Sequence, residues 1–106
     1  MRATALRVLV DGKAQDVVTI DLTGRMPLAD TMLVASGTSA RHVSALAEKL
    51  AEALKPCAVG PVRTHGLAQG DWALVDAGDV IVHVMRPEVR AFYAIEDLWG
   101  TETCPR

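Results

Sequence analysis

The hydrophobic pattern turns on two apolar runs, residues 72–75 and 80–85, set either side of the polar link Asp76-Ala77-Gly78-Asp79. β-Branched and aromatic residues bounded by Gly and Asp predict two strands of a hairpin. The second run is almost wholly apolar, as suits a central strand buried on both faces. His83 interrupts that run, and Trp72 opens the first beside Asp71. A buried strand that keeps a histidine, next to a tryptophan at a strand end, is the place to look for function.

The rest of the pattern places further elements around this hairpin. Val43, Leu46, Ala47, Leu50 and Leu54 recur at helical spacing and form one apolar stripe. Thr38 or Ser39 caps that helix by accepting a backbone N–H, and Lys55-Pro56 ends it, because the residue before proline disfavours helical dihedrals. His42, Ser44, Glu48 and Glu52 fall away from the stripe. Residues 16–22 alternate as a strand closed by Thr23-Gly24-Arg25, and residues 31–35 form a second, followed by the turn Ser36-Gly37-Thr38. Residues 60–64 suit a short strand that Pro61 restricts to an edge or a strand start. Residues 65–71 read as a polar loop feeding the hairpin. Pro87 opens a last helix, with Val89, Phe92 and Tyr93 on one face and Ile95, Leu98 and Trp99 on a shifted one. A break near Ala94 accommodates the shift, Gly100 stops the helix, and residues 101–106 form a flexible tail. The N-terminus is open: Leu6-Arg7-Val8-Leu9-Val10 before Asp11-Gly12 suits one arm of a hairpin with a type I′ turn, or a short helix. Strands alternating with helices give an α/β domain over residues 1–100, a mixed sheet of about five strands with helices packed on it.

Composition narrows this picture. A chain of 106 residues supports one domain with one core. Half the residues are hydrophobic but only four are aromatic, so the core must be built from Val, Leu and Ala. A net charge of −2 argues against a broad basic surface for nucleic acid, so no direct DNA binding is expected. Cys57 and Cys104 have the spacing of neither a disulfide framework nor a zinc site, which suits a reduced cytoplasm. No apolar run approaches membrane-spanning length and the N-terminus lacks a signal-peptide pattern, so a soluble cytoplasmic protein with no membrane partner is expected.

Three motifs in order add a family. Trp72, Val75-Asp76, Gly78-Asp79-Val80 and Val82-His83-Val84 resemble the signature of the ribosomal silencing factors, the Iojap-like proteins. Asp30 and Ala35-Ser36-Gly37-Thr38-Ser39-Ala40-Arg41-His42-Val43 match that family's upstream motif. Arg90, Phe92-Tyr93, Glu96 and Leu98-Trp99 match its closing helix. The resemblance spans about residues 5–99. Thr31 stands where relatives usually carry a bulkier residue, often aromatic, and Ala94 where they usually carry a polar one. The resemblance implies an N-terminal helix, a nucleotidyltransferase-like topology and a homodimer when free. It also implies a translational repressor that binds the fourteenth protein of the large ribosomal subunit and keeps the small subunit from joining. With a negative chain, docking on a basic ribosomal protein is expected rather than on bare RNA. The partner-binding set is Trp72, Val75, Asp76, Gly78, Asp79, His83 and Met85. Trp72 is placed at its centre, since tryptophan is over-represented among residues that dominate interfaces. His83 either makes a structural hydrogen bond or shapes the binding face.

The fold class implied by the family brings a second reading, an enzyme or nucleotide-binding domain using the turn Ser36-Gly37-Thr38-Ser39. A strand-to-helix turn favours anions, yet the glycine and lysine pattern of a P-loop and G-x-G-x-x-G are both absent. Metal-assisted nucleotidyl transfer needs converging carboxylates. Asp76 and Asp79 lie three apart in a turn, where Asp readily bonds its own backbone. His42, His65 and His83 are scattered singly, without a ligand at metal-binding spacing. No catalytic residue, cofactor or metal is assigned.

Overall fold

A computed structural model describes residues 1–23 and 29–93. The expected break near Ala94, the helix face with Ile95, Leu98 and Trp99, the stop at Gly100, the tail with Cys104 and most of the Thr23-Gly24-Arg25 turn lie outside the described residues, as do the side chains of Phe92 and Tyr93. The chain runs α1 (Arg2–Asp11), β1 (Gln15–Asp21), β2 (Thr31–Ser36), α2 (Ala40–Leu54), a 3-10 turn (Lys55–Cys57), β3 (Arg63–His65), β4 (Trp72–Asp76), β5 (Val80–Met85) and α3 (Pro87–Tyr93). The five strands form one mixed sheet in the order β1-β2-β5-β4-β3. Among the described strands only the β2–β5 pair is parallel, and α2 lies in the crossover between those two strands.

Alternation along each strand divides the sheet into two faces. Leu33 and Ala35 of β2, Ala73 and Val75 of β4, and Val80, Val82 and Val84 of β5 pack in one cluster with the α2 stripe. Ala5 and Leu9 of α1 join the same cluster, with α1 laid against α2. Fully burying a Leu or Val side chain contributes about 1.5–3 kcal/mol relative to leaving it exposed. This aliphatic layer is therefore the main source of stability. On the other face Ile20, Leu22, Ala29, Met32, Val34 and Met85 form a second cluster, edged by Val18, Trp72, Ile81 and Val89.

Several sequence expectations change in detail. β5 is central, between β2 and β4, but only one of its faces is sealed, because Ile81 and His83 on the other are half-buried. The N-terminus is helical, so Asp11-Gly12 is no hairpin turn. Gly12 has φ −84 and donates its N–H to the Val8 carbonyl, and the positive φ angles fall on Lys13 and Asp16. The short edge strand lies at Arg63–His65, later than Pro61 suggested. Ser39, extended at φ −152, is the cap of α2, and its Oγ accepts the His42 N–H at 3.1 Å. Thr31 is buried in β2. Cys57 is an exposed free thiol. Among the described residues no helix is long and apolar enough to cross a membrane.

Candidate functional site

The face turned away from α2 carries Trp72, Leu74 and Asp76 of β4 beside Met85, His83 and Ile81 of β5, paired in that order. Val34 lies next to His83 on the β2 side. Trp72 and His83 are thus diagonal neighbours on one face, a separation that aromatic side chains can span. The Trp72 Nε1–H donates to His83 Nδ1 at 3.0 Å, and the ring centroids lie 5.8 Å apart at 54°. An indole nitrogen can only donate, so Nδ1 must be the acceptor and the neutral imidazole carries its proton on Nε2. Burial pushes the His83 imidazolium below the ordinary histidine range, which favours that neutral form.

Backbone geometry fixes both ends of the hairpin. At its tip Asp76 Oδ1 accepts the Gly78 N–H at 2.9 Å, while Gly78 takes φ +88. The Asp79 carbonyl accepts the amides of Asp30 and Thr31 at 2.9 and 3.1 Å, tying the tip to the start of β2. At its base Asp71 and Arg86 form an ion pair of 2.7 Å, and the Arg86 amide donates to the Asp71 carbonyl. Gly70, buried at φ +69, passes so close to α2 that an added Cβ would run into the Ala40 carbonyl oxygen. Ser44 Oγ donates to the Leu67 carbonyl at 2.6 Å and pins the same loop. Trp72 therefore leaves a clamped loop, with its indole held by His83.

The seven expected site residues fall into two groups. Trp72, Asp76 and His83 are half-buried on the open face, and Gly78 and Asp79 are exposed at the tip. Val75 is fully buried on the opposite face under α2, and Met85 is fully buried beneath Trp72. Their side chains support the face rather than surface on it. Leu74 and Ile81 are half-buried on the same open face, two residues along their strands from Trp72 and His83. Nearby, buried Arg90 donates through Nη1 to Ser36 Oγ at 3.0 Å.

The turn before α2 is occupied by its own contacts. The Gly37 amide donates to the Met85 carbonyl, and the Val43 amide to the Ser39 carbonyl. The Thr38 amide and hydroxyl both donate to His42 Nδ1, at 2.9 and 3.2 Å. His42 Nε2 donates to the Gly12 carbonyl at 2.7 Å, so this ring joins the end of α1 to the start of α2. Asp76 serves its own turn in the same way. Among the described residues no group of three or more His, Cys, Asp or Glu is placed to hold a metal ion.

Comparison with known proteins matches residues 1–106 to the family described as "Ribosomal silencing factor during starvation". The chain belongs to this ribosomal silencing factor family. It is 47% identical over 92 residues to the silencing factor of Zymomonas mobilis, covering 87% of this chain and 69% of that protein. Against the silencing factor of Chromobacterium violaceum it is 46% identical over 96 residues, covering 91% and 79% of the two chains. An X-ray crystal structure from Chromobacterium violaceum superimposes with a TM-score of 0.87 at 44% identity, covering 93% of this chain and 82% of the other. A mouse protein named "Mitochondrial assembly of ribosomal large subunit protein 1" is 36% identical over 89 residues, 81% of this chain and 39% of that protein.

Proposed function

We propose that this silencing factor represses translation by docking on the large ribosomal subunit, through its fourteenth protein, and sterically excluding the small subunit. The observation that carries this reading is the half-buried face of Trp72, His83, Leu74 and Ile81, bordered by Asp76 and the exposed hairpin tip. A tryptophan at the centre of such a patch is a common interface anchor. A net charge of −2 suits a basic protein partner, since complementary charge speeds encounter and fixes orientation. The molecule extends 36 × 33 × 21 Å, wide enough to obstruct a subunit interface. The mechanism needs no cofactor, and the factor works in the cytoplasm, where its target is. The mouse relative's name, which speaks of the large subunit, agrees with this target.

Trp72→Ala tests the surface. Losing an interface anchor costs about 2 kcal/mol or more, roughly a thirtyfold loss of affinity. The variant should keep its far-UV spectrum and fail to co-sediment with purified large subunits at concentrations where the native chain does; undiminished co-sedimentation rules the surface out. Mixing purified subunits with increasing protein then tests exclusion. The joined ribosome peak should fall in proportion to protein bound per large subunit, unchanged by nucleotide or chelator. Joined ribosomes that retain the protein, or inhibition far below one protein per subunit, contradict a steric block. We further propose that the free protein is a homodimer, hiding an apolar patch of the sheet against a second copy. Light scattering across a dilution series decides that point, a monomer mass throughout counting against it.

A further inference from the structure

The contact between Trp72 and His83 carries an inference about the docking face, and it rests on the docking reading given above. We propose that His83 is a positioning residue for Trp72: its unprotonated Nδ1 holds the indole N–H and fixes the ring for docking, so a proton on that nitrogen releases Trp72 and weakens binding. Three observations converge on it. The 3.0 Å bond has one possible polarity, since the indole cannot accept. The two rings also touch, with centroids 5.8 Å apart, so His83 limits where the indole can turn. Both residues are half-buried on the open face, so a change at His83 is felt at the surface.

The surroundings decide which way the ring responds to protons. Among the described residues, the neighbours of His83 on its own face are Val34 of β2 and Leu74 of β4, neither ionisable. The ionisable groups on that face or at its rim are Asp76 of β4, Arg63 and His65 of β3, the Asp71–Arg86 pair, and Glu88 and Arg90 of α3. None of these has a hydrogen bond to His83, Arg90 Nη1 being turned to Ser36. β1 contributes Val18 and Ile20 to this face, paired with Val34 and Met32. Burial thus favours the neutral ring. At neutral pH the acceptor is present; in acid the imidazolium offers only donors, and the indole N–H faces another N–H. Docking should therefore be strongest at neutral pH and weaken as the solution falls below the ordinary histidine range, about pH 6.5.

Two substitutions separate this role from plain packing. His83→Asn places an amide oxygen at the position of Nδ1 and does not titrate. His83→Phe keeps a ring against the indole and removes the acceptor. Two readouts are needed: the Trp72 indole N–H resonance of the free protein, assigned by its loss in Trp72→Phe, and co-sedimentation with purified large subunits, both followed from about pH 7.5 downward until the His83 ring itself is protonated. The native indole resonance should move with acid, stay fixed in His83→Asn, and exchange faster with solvent in His83→Phe. Acid should weaken native docking about fivefold relative to His83→Asn, and His83→Phe should be weakened by a similar factor at neutral pH, the size expected for one hydrogen bond. An indole resonance indifferent to acid overturns the proposal. So does full docking by His83→Phe where Trp72→Ala has lost it. If Trp72→Ala itself docks normally, the docking surface has failed and the proposal falls with it, an outcome told apart from the others by that variant alone.

Discussion

The two faces of the one sheet are built on opposite plans. Beneath α1 and α2, every strand position in the cluster is Leu, Val or Ala, and almost all are fully buried. The other face has buried aliphatics toward β1 and β2, then turns polar: Arg90 on Ser36, Trp72 on His83, Asp76 at the turn. Close-packed aliphatic burial under α2 carries enough free energy for the second face to keep half-open rings. The proposed docking face thus lies on the side of the sheet opposite the aliphatic layer. The sharpest way to break this division is to cut into the sealed side. Leu50→Ala should lower unfolding free energy by about 2–5 kcal/mol in urea titration, while the fraction still folded docks with native affinity. A loss of docking in folded Leu50→Ala would mean the two faces are coupled.

The sealed face is also the part that was legible in the sequence. Val43, Leu46, Ala47, Leu50 and Leu54 show their stripe because one helix repeats it locally, and the cap was narrowed to two neighbours, of which Ser39 is used. The hairpin was readable from its flanking Gly and Asp, and Asp76 bonds its own turn as the spacing implied. The open face was harder to read because its contacts join residues far apart. Ser36 and Arg90 are 54 positions apart. Trp72 and His83 stood out singly, but their bond depends on a strand register that no local pattern reveals. The almost unbroken apolar run of β5 gives no local sign that alternate residues face different surroundings, Ile81 half-buried and Val82 fully buried.

Between the two plans lie contacts of intermediate cost. Ser36→Ala removes the acceptor of a buried guanidinium nitrogen and should destabilise by about 1–3 kcal/mol; hydrogen exchange should quicken at the start of α3 more than in α2. Ser39→Ala should cost about 1 kcal/mol, read as a lower thermal midpoint, with exchange quickened in the first turn of α2. If Ser39→Ala disturbed the Trp72 indole instead, the clamp of Gly70 against Ala40 would be transmitting between the faces.

The smallest effect concerns His83 and folding itself, apart from any ribosome. Its proton affinity is lowered by burial, so between its folded pKa and the ordinary value of 6.5 the unfolded chain binds the proton better. Stability must then rise with pH across that window. Above about pH 6.5 the ring is neutral in both states and nothing is lost. As pH falls from there through the folded value, the native state is progressively disfavoured, and below it the loss stays constant. The other histidines, His42 and His65, are present equally in His83→Asn and cancel in the difference. The measurement is therefore the gap in unfolding free energy between native protein and His83→Asn, followed from about pH 7.5 to about pH 5. The native chain should lose ground as the solution is acidified, by a small amount because a half-buried ring keeps part of its hydration. A flat difference would show that burial does not perturb the ring. A native chain that instead gains ground would show an anionic partner at His83, and the open face would then hold a charge pair rather than a neutral lock.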